Sequence, residues 1–205
     1  MASDMDCGMN GSLTVNEVAH LASVPARRVE KAIETGILKP VKRPHMVSKK
    51  PARHLSISAV CYLAAVGRSS VLGDVSVKRK KHLMKIIGAM PARRLTSVEL
   101  EPGLHLDLPL IAGPACCEAL RYIESRKRHI TTNPEIFGGA PIITGTRIPV
   151  YVVRDRLDDG DTLEDLMVDY PHIPRDAFVA ADIYARTHPE RGRPVSGGRP
   201  WDAAA

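Results

Sequence analysis

Between Thr14 and Leu38 the sequence leaves room for little except two short helices joined by a tight turn. Thr14 and Glu17 make a capping-box pair, in which an N-cap hydroxyl and an N3 carboxylate each satisfy a backbone N–H that a helix start leaves open. Val18 and Leu21 then share the inner face of the first helix. Ser23-Val24-Pro25 interrupts it, and Pro25 suits the first turn of the next helix, where its missing N–H costs nothing. In that second helix Val29, Ala32 and Ile33 lie at i, i+3 and i+4, one apolar face. Gly36 stands where a left-handed residue ends a helix, and Ile37-Leu38 turns back to the core. The expected unit is a helix-turn-helix.

Residues 39–57 hold Pro40, Pro44 and Pro51 among Lys39, Lys42, Arg43, Lys49, Lys50 and Arg53, too broken for a helix and read as a basic loop or two-stranded wing. Helices are predicted over 56–67, with Val60, Leu63 and Ala64 on one face, and over 77–90, which carries the run Lys78-Arg79-Lys80-Lys81. Alternation through Val98, Leu100, Leu104, Leu106 and Leu108 about Pro102-Gly103 predicts a half-buried hairpin. A helix over 114–127 points Leu120 and Ile123 inward, and Arg126-Lys127-Arg128 reads as a linker. Two extended pieces follow within 130–143, then helices over 148–159, 162–170 and 174–187, with Thr162 as a cap. The first dozen residues read as a loose leader, and the last 17, rich in Pro and Gly, as a tail without helix or strand.

Composition narrows the options further. Aromatics are 4% of the 205 residues, so cores must rest on Leu, Ile, Val and Ala, and binders that stack bases on aromatic platforms are disfavoured. Hydrophobic residues at 44% and charged ones at 25% match a globular chain of one large or two small domains. Residues 1–80 hold 13 Lys/Arg against 6 Asp/Glu, a net of +7; residues 81–150 hold 9 against 6; residues 151–189 hold 4 against 9, a net of −5. Such a split suggests different partners for the two ends. Cys7, Cys61, Cys116 and Cys117 fit no zinc or redox spacing. With no secretory signal and no run of about 18 apolar residues, the expectation is a reduced, cytoplasmic protein without a membrane span.

The second helix would expose Arg27, Arg28 and Lys31 for base edges in a major groove, while Lys42, Arg43, Lys49, Lys50 and Arg53 touch phosphates. The run from Leu13 through Leu38 resembles the MerR-like winged helix, with Val24-Pro25 where that family more often has a Ser or Thr cap. A second stretch carries Gly138-Gly139 and then Gly145-Thr146-Arg147-Ile148-Pro149, followed by Asp159-Gly160 and Asp169-Tyr170-Pro171. It closely resembles the small domain of VapB-type antitoxins, whose partners are PIN-domain ribonucleases, except that Pro174 stands where that family has a capping Ser or Thr. The resemblance implies that the tail lies across the toxin, with Arg191, Arg193 and Arg199 pairing with its carboxylates and Trp201 as an apolar anchor.

Enzymatic readings fare worse. Gly139 and Gly145 enclose five residues and are followed by Thr146-Arg147, not the Gly-Lys-Ser/Thr of a phosphate loop. Asp158-Asp159-Gly160-Asp161 lacks the alternating carboxylates of a calcium loop. The eight histidines are scattered, and Asp155, Asp159 and Asp165 crowd one short stretch where a nuclease would gather acids from separate strands. The expectation is therefore a mainly α chain with small β elements and no cofactor or metal. It would comprise a leader (1–12), a winged helix-turn-helix (13–68), an α/β extension (69–128), a three-helix antitoxin domain (129–188) and a toxin-binding tail (189–205). Its partners would be a PIN-domain toxin, operator DNA and further copies of itself. The alternative is a stand-alone transcription regulator whose C-terminal part dimerises or senses a ligand.

Overall fold

The computed structural model describes residues 12–43 and 51–190, and within these the chain is mainly helical with small antiparallel sheets. It divides into two units, Met1–Glu124 and Ser125–Ala205.

In the first unit, β1 (Leu13–Thr14) leads into α1 (Val15–Leu21), whose capping box is complete: Glu17 N–H donates to Thr14 Oγ1 at 3.3 Å, and Thr14 N–H donates to Glu17 Oε2 at 2.7 Å. α2 (Ala26–Glu34) follows with Pro25 as its N-cap, one position earlier than the sequence implied. Gly36, at φ 67°, closes α2: its N–H donates to Ile33 O and that of Ile37 to Ala32 O, both at 2.9 Å. That double closure is the Schellman arrangement, which needs a left-handed residue at C′. β2 (Val41–Arg43) and β3 (Ala52–Leu55) pair antiparallel, and β3 also pairs β1, giving the order β1-β3-β2.

α3 (Ile57–Arg68) is buried along most of its length, from Ile57 through Ala65. Burial pushes the Tyr62 hydroxyl up to about 12. A short α4 (Ser70–Asp74), not predicted, precedes α5 (Val77–Ala89), which buries Leu83 and Ile87. β4 (Val98–Glu101) and β5 (Leu104–Leu106) form the expected hairpin, turning at Gly103.

α6 (Leu108–His129) corrects two expectations. It begins six residues before Pro114 and continues through Arg126-Lys127-Arg128, which are helix and not linker. Pro109 sits in the first turn, where no N–H is required, and Pro114 is solvent-exposed, so the carbonyl it leaves unbonded can be hydrated. The face turned inward is Ala112, Ala115, Cys116, Ala119 and Tyr122, whereas Leu120 and Ile123 are only half-buried. Tyr122 Oη donates to Glu17 Oε1 at 2.5 Å, and Glu17 is fully buried. A buried carboxylate is tolerated only with such partners, so α6 and the start of α1 depend on each other. Cys61 and Cys116 form a disulfide across 55 residues of sequence, which overturns the reading of four reduced cysteines; Cys117 is free and exposed.

In the second unit, β6 (Ile130–Thr132) pairs antiparallel with β7 (Pro141–Ile143), after which come α7 (Val150–Asp158), α8 (Leu163–Asp169) and α9 (Arg175–Thr187). Helix α9 is alanine-rich on its buried side, with Ala177, Ala180, Ala181 and Ala185 beside Phe178 and Tyr184, and both α7 and α8 pack on it. The core is completed by Ile142, Ile143, Val150, Val153, Leu166 and Ile173. Thr162 and Asp165 form a second capping box. Hydrogen bonds from the Thr162 hydroxyl and N–H hold the Asp165 carboxyl below its ordinary range.

Candidate nucleic-acid interface

Helix α2 separates its residues by chemistry. Val29 and Ala32 are buried, while Arg27, Arg28 and Lys31 are exposed. Lys42 is exposed on β2 and lies opposite Arg53 of β3. Like charges directly opposite in a sheet repel, and Arg53 is relieved by Glu30 of α2, its Nη2 lying 2.6 Å from Glu30 Oε1. The ion pair thereby ties the strand pair to α2 and occupies one of the predicted phosphate contacts. Arg43 is half-buried. Lys49 and Lys50 lie outside the described residues.

Sequence reasoning noted the basic run on α5 without assigning it. The structure sorts it. Arg79 pairs with Glu101, and Lys80 Nζ donates to Gly73 O at 2.6 Å. Lys78, Lys81 and Lys85, at i, i+3 and i+7, are exposed along one face, and the helix holds no acid. Lys81 Nζ lies 3.5 Å from where a Cβ on Gly36 would stand, so this stripe adjoins the end of α2. Cations three and four residues apart each cost a few tenths of a kcal/mol, and a polyanion laid along them would reverse that cost. Replacing all three lysines by glutamine is expected to leave the fold intact and to lower the slope of log K against log salt by about 2.7, that is, about 0.9 per phosphate. Fluorescence anisotropy on a duplex across a salt series measures it, and an unchanged slope would remove α5 from the interface.

In the second unit the residues singled out form turns. Gly138 and Gly139 take φ 64° and 87° directly after Phe137 at 47°. Gly145 (φ 77°) lies between β7 and α7, where the Ile143 N–H donates to Ile148 O at 2.9 Å across the turn. Thr146 Oγ1 donates to Ile143 O at 2.8 Å and accepts from the Ile148 N–H at 3.1 Å, and Pro149 is the N-cap of α7. Gly145→Val should cost the second unit about 1–3 kcal/mol, because a β-branched residue is strained at that φ. Urea unfolding followed by circular dichroism would show the lowered midpoint, and a wild-type midpoint would contradict it.

Asp155, Asp159 and Asp165 each have a local task. Asp155 Oδ1 is 2.6 Å from Arg154, Asp159 stands at the C-cap of α7 with its backbone N–H on Asp155 O, and Asp165 accepts from the Thr162 N–H in the capping box of α8. Among the described residues no group of three or more His, Cys, Asp or Glu side chains is placed to hold a metal ion. None of their helices is long and apolar enough to cross a membrane. Arg191, Arg193, Arg199 and Trp201 lie outside the described residues.

Residues 130–185 match the model of a family described as "Protein of unknown function (DUF433)". The uncharacterized protein y4eO of Sinorhizobium fredii (strain NBRC 101917 / NGR234) is 34% identical over 91 residues, covering 44% of this chain and 40% of the relative's length. Less than two thirds of that relative is therefore spanned. The X-ray crystal structure of Rv2018 from Mycobacterium tuberculosis aligns with 82% of this chain and 95% of its own, with a TM-score of 0.31 and 15% identity.

Proposed function

We propose that this chain is a DNA-binding antitoxin, which represses its own operon and silences a PIN-domain ribonuclease. The observation that carries the DNA-binding half is α2, which buries Val29 and Ala32 and turns Arg27, Arg28 and Lys31 to solvent. With α1 as the supporting helix and β2–β3 as the wing, α2 serves as the reading helix of a winged helix-turn-helix. A helix fits the major groove, and arginine pairs bidentately with guanine there. Lys42 and the α5 lysines then follow the phosphates. The antitoxin half rests on the resemblance of residues 129–188, with α7, α8 and α9 as the three-helix domain. The tail supplies Arg191, Arg193, Arg199 and Trp201 to the toxin's carboxylate-lined site. In this reading the chain catalyses nothing and holds no cofactor or metal. It acts in the cytoplasm, as a dimer or as a larger complex with the toxin.

The test of the DNA-binding half is a footprint of the purified chain on the promoter region of its own gene. A protected site of one or two half-sites, about 10 base pairs apart centre to centre for a dimer, supports the reading. Equal, weak binding to the promoter and to random duplex would contradict it.

A further inference from the structure

The turn at residues 144–149 contains one charged side chain that the fold does not use. Gly145 supplies the left-handed backbone, Thr146 the bridging hydroxyl, Ile148 the cross-turn carbonyl and Pro149 the helix cap. Arg147 is exposed and makes no hydrogen bond or ion pair among the described residues. That is unusual for this unit, where residues 125–190 carry eleven acids against eight cations. The arginines of α7 and α9 all have acidic neighbours. Arg154 pairs with Asp155, Arg156 with Asp161 and Asp169, Arg175 with Glu164, and Arg186 with Asp158 and Asp182.

Lys127 and Arg128 are exposed and equally without a partner among the described residues. The chain pairs the segments that carry them. Ile130 lies opposite Ile143, and the Thr144 N–H donates to His129 O at 2.9 Å. The turn bearing Arg147 therefore starts beside the residues that follow Arg128. Two arginines and a lysine are thus carried on the two segments that this hydrogen bond joins, in an otherwise acidic unit.

We propose that this end of the second unit, Arg147 with Arg128 and Lys127, is a docking site for carboxylates of a protein partner. The proposal rests on the antitoxin reading and adds a contact apart from the tail. A protein is favoured over nucleic acid because the surrounding acids repel an unbroken row of phosphates, whereas a protein surface carries cations that those acids can meet. Arginine at the turn also offers a planar fork that matches a carboxylate with two hydrogen bonds, which lysine cannot do.

The experiment titrates any PIN-domain nuclease encoded beside this gene with full-length wild type, Arg147→Ala, Arg147→Lys and Arg128→Ala, read by calorimetry, with a promoter duplex as a second titrant. Arg147→Ala should weaken nuclease binding about thirty-fold, as a hot-spot truncation does. Arg147→Lys should recover only part of the loss, Arg128→Ala should cost less, and duplex binding and the unfolding midpoint should not move. Wild-type affinity for the nuclease in Arg147→Ala overturns the proposal while leaving the antitoxin reading in place. Weakened duplex binding assigns the site to phosphate and overturns it as well. A wild-type chain that does not bind the nuclease removes both together.

Discussion

Replacing Arg27, Arg28 and Lys31 together by alanine is expected to abolish selective binding to the promoter site while leaving a folded protein. All three side chains are exposed on α2, and the residues that hold the helix in place, Val29 and Ala32, are untouched. A good bidentate base contact is worth about 1–3 kcal/mol of discrimination. Two arginines and a lysine thus account for a loss of about 3–9 kcal/mol, comparable with the whole preference of about 4–10 kcal/mol over random duplex. The residual binding should be weak, sequence-independent and steeply salt-dependent, because Lys42 and the lysines of α5 remain. Competition between promoter and random duplexes measures the ratio. A triple variant that keeps full preference would place the reading element elsewhere.

The second large effect is covalent. Reducing the Cys61–Cys116 disulfide is expected to lower the stability of the first unit by about 4 kcal/mol, from the chain entropy released when a loop of this length opens. The loop spans 55 residues. For a domain of this size the unfolding midpoint should fall by about 10–20 °C. Cys116 Sγ lies 3.3 Å from Ala92 O, a carbonyl that a free thiol could donate to after reduction. Thermal unfolding with and without reductant gives the shift, and Cys116→Ala should abolish any response to reductant. Identical midpoints for the wild type under both conditions would contradict the account.

Local geometry was legible in the sequence, and distant pairing was not. Thr14 and Glu17 announce their capping box because both partners lie within one turn, and Gly36 and Gly145 mark backbone that only glycine adopts without strain. The exposed cations of α2 followed from periodicity alone. The sequence set the start of α6 at Pro114, six residues late, although Pro109 sits in a first turn and Pro114 faces solvent, so neither ends the helix. It also named Leu120 and Ile123 as the inner face, where the smaller Ala115, Cys116 and Ala119 pack instead. Glu17 with Tyr122, Cys61 with Cys116 and Glu30 with Arg53 join residues far apart in sequence, and no periodicity foretells them. The sorting of the α5 lysines into used and unused cations likewise required Glu101 and Gly73 to be placed.

The antitoxin reading is tested most directly by a ribonuclease assay of any PIN-domain protein encoded beside this gene, titrated with the full-length chain and with a chain ending at His188. Helix α9 ends at Thr187, so the shorter chain keeps α7, α8 and α9. Full-length protein should stop RNA cleavage at a fixed stoichiometry. The shorter chain should inhibit about thirty-fold less well, the cost of losing a hot-spot residue such as Trp201 or Arg191. RNA cleavage that continues at full rate with the full-length chain in excess would contradict the account.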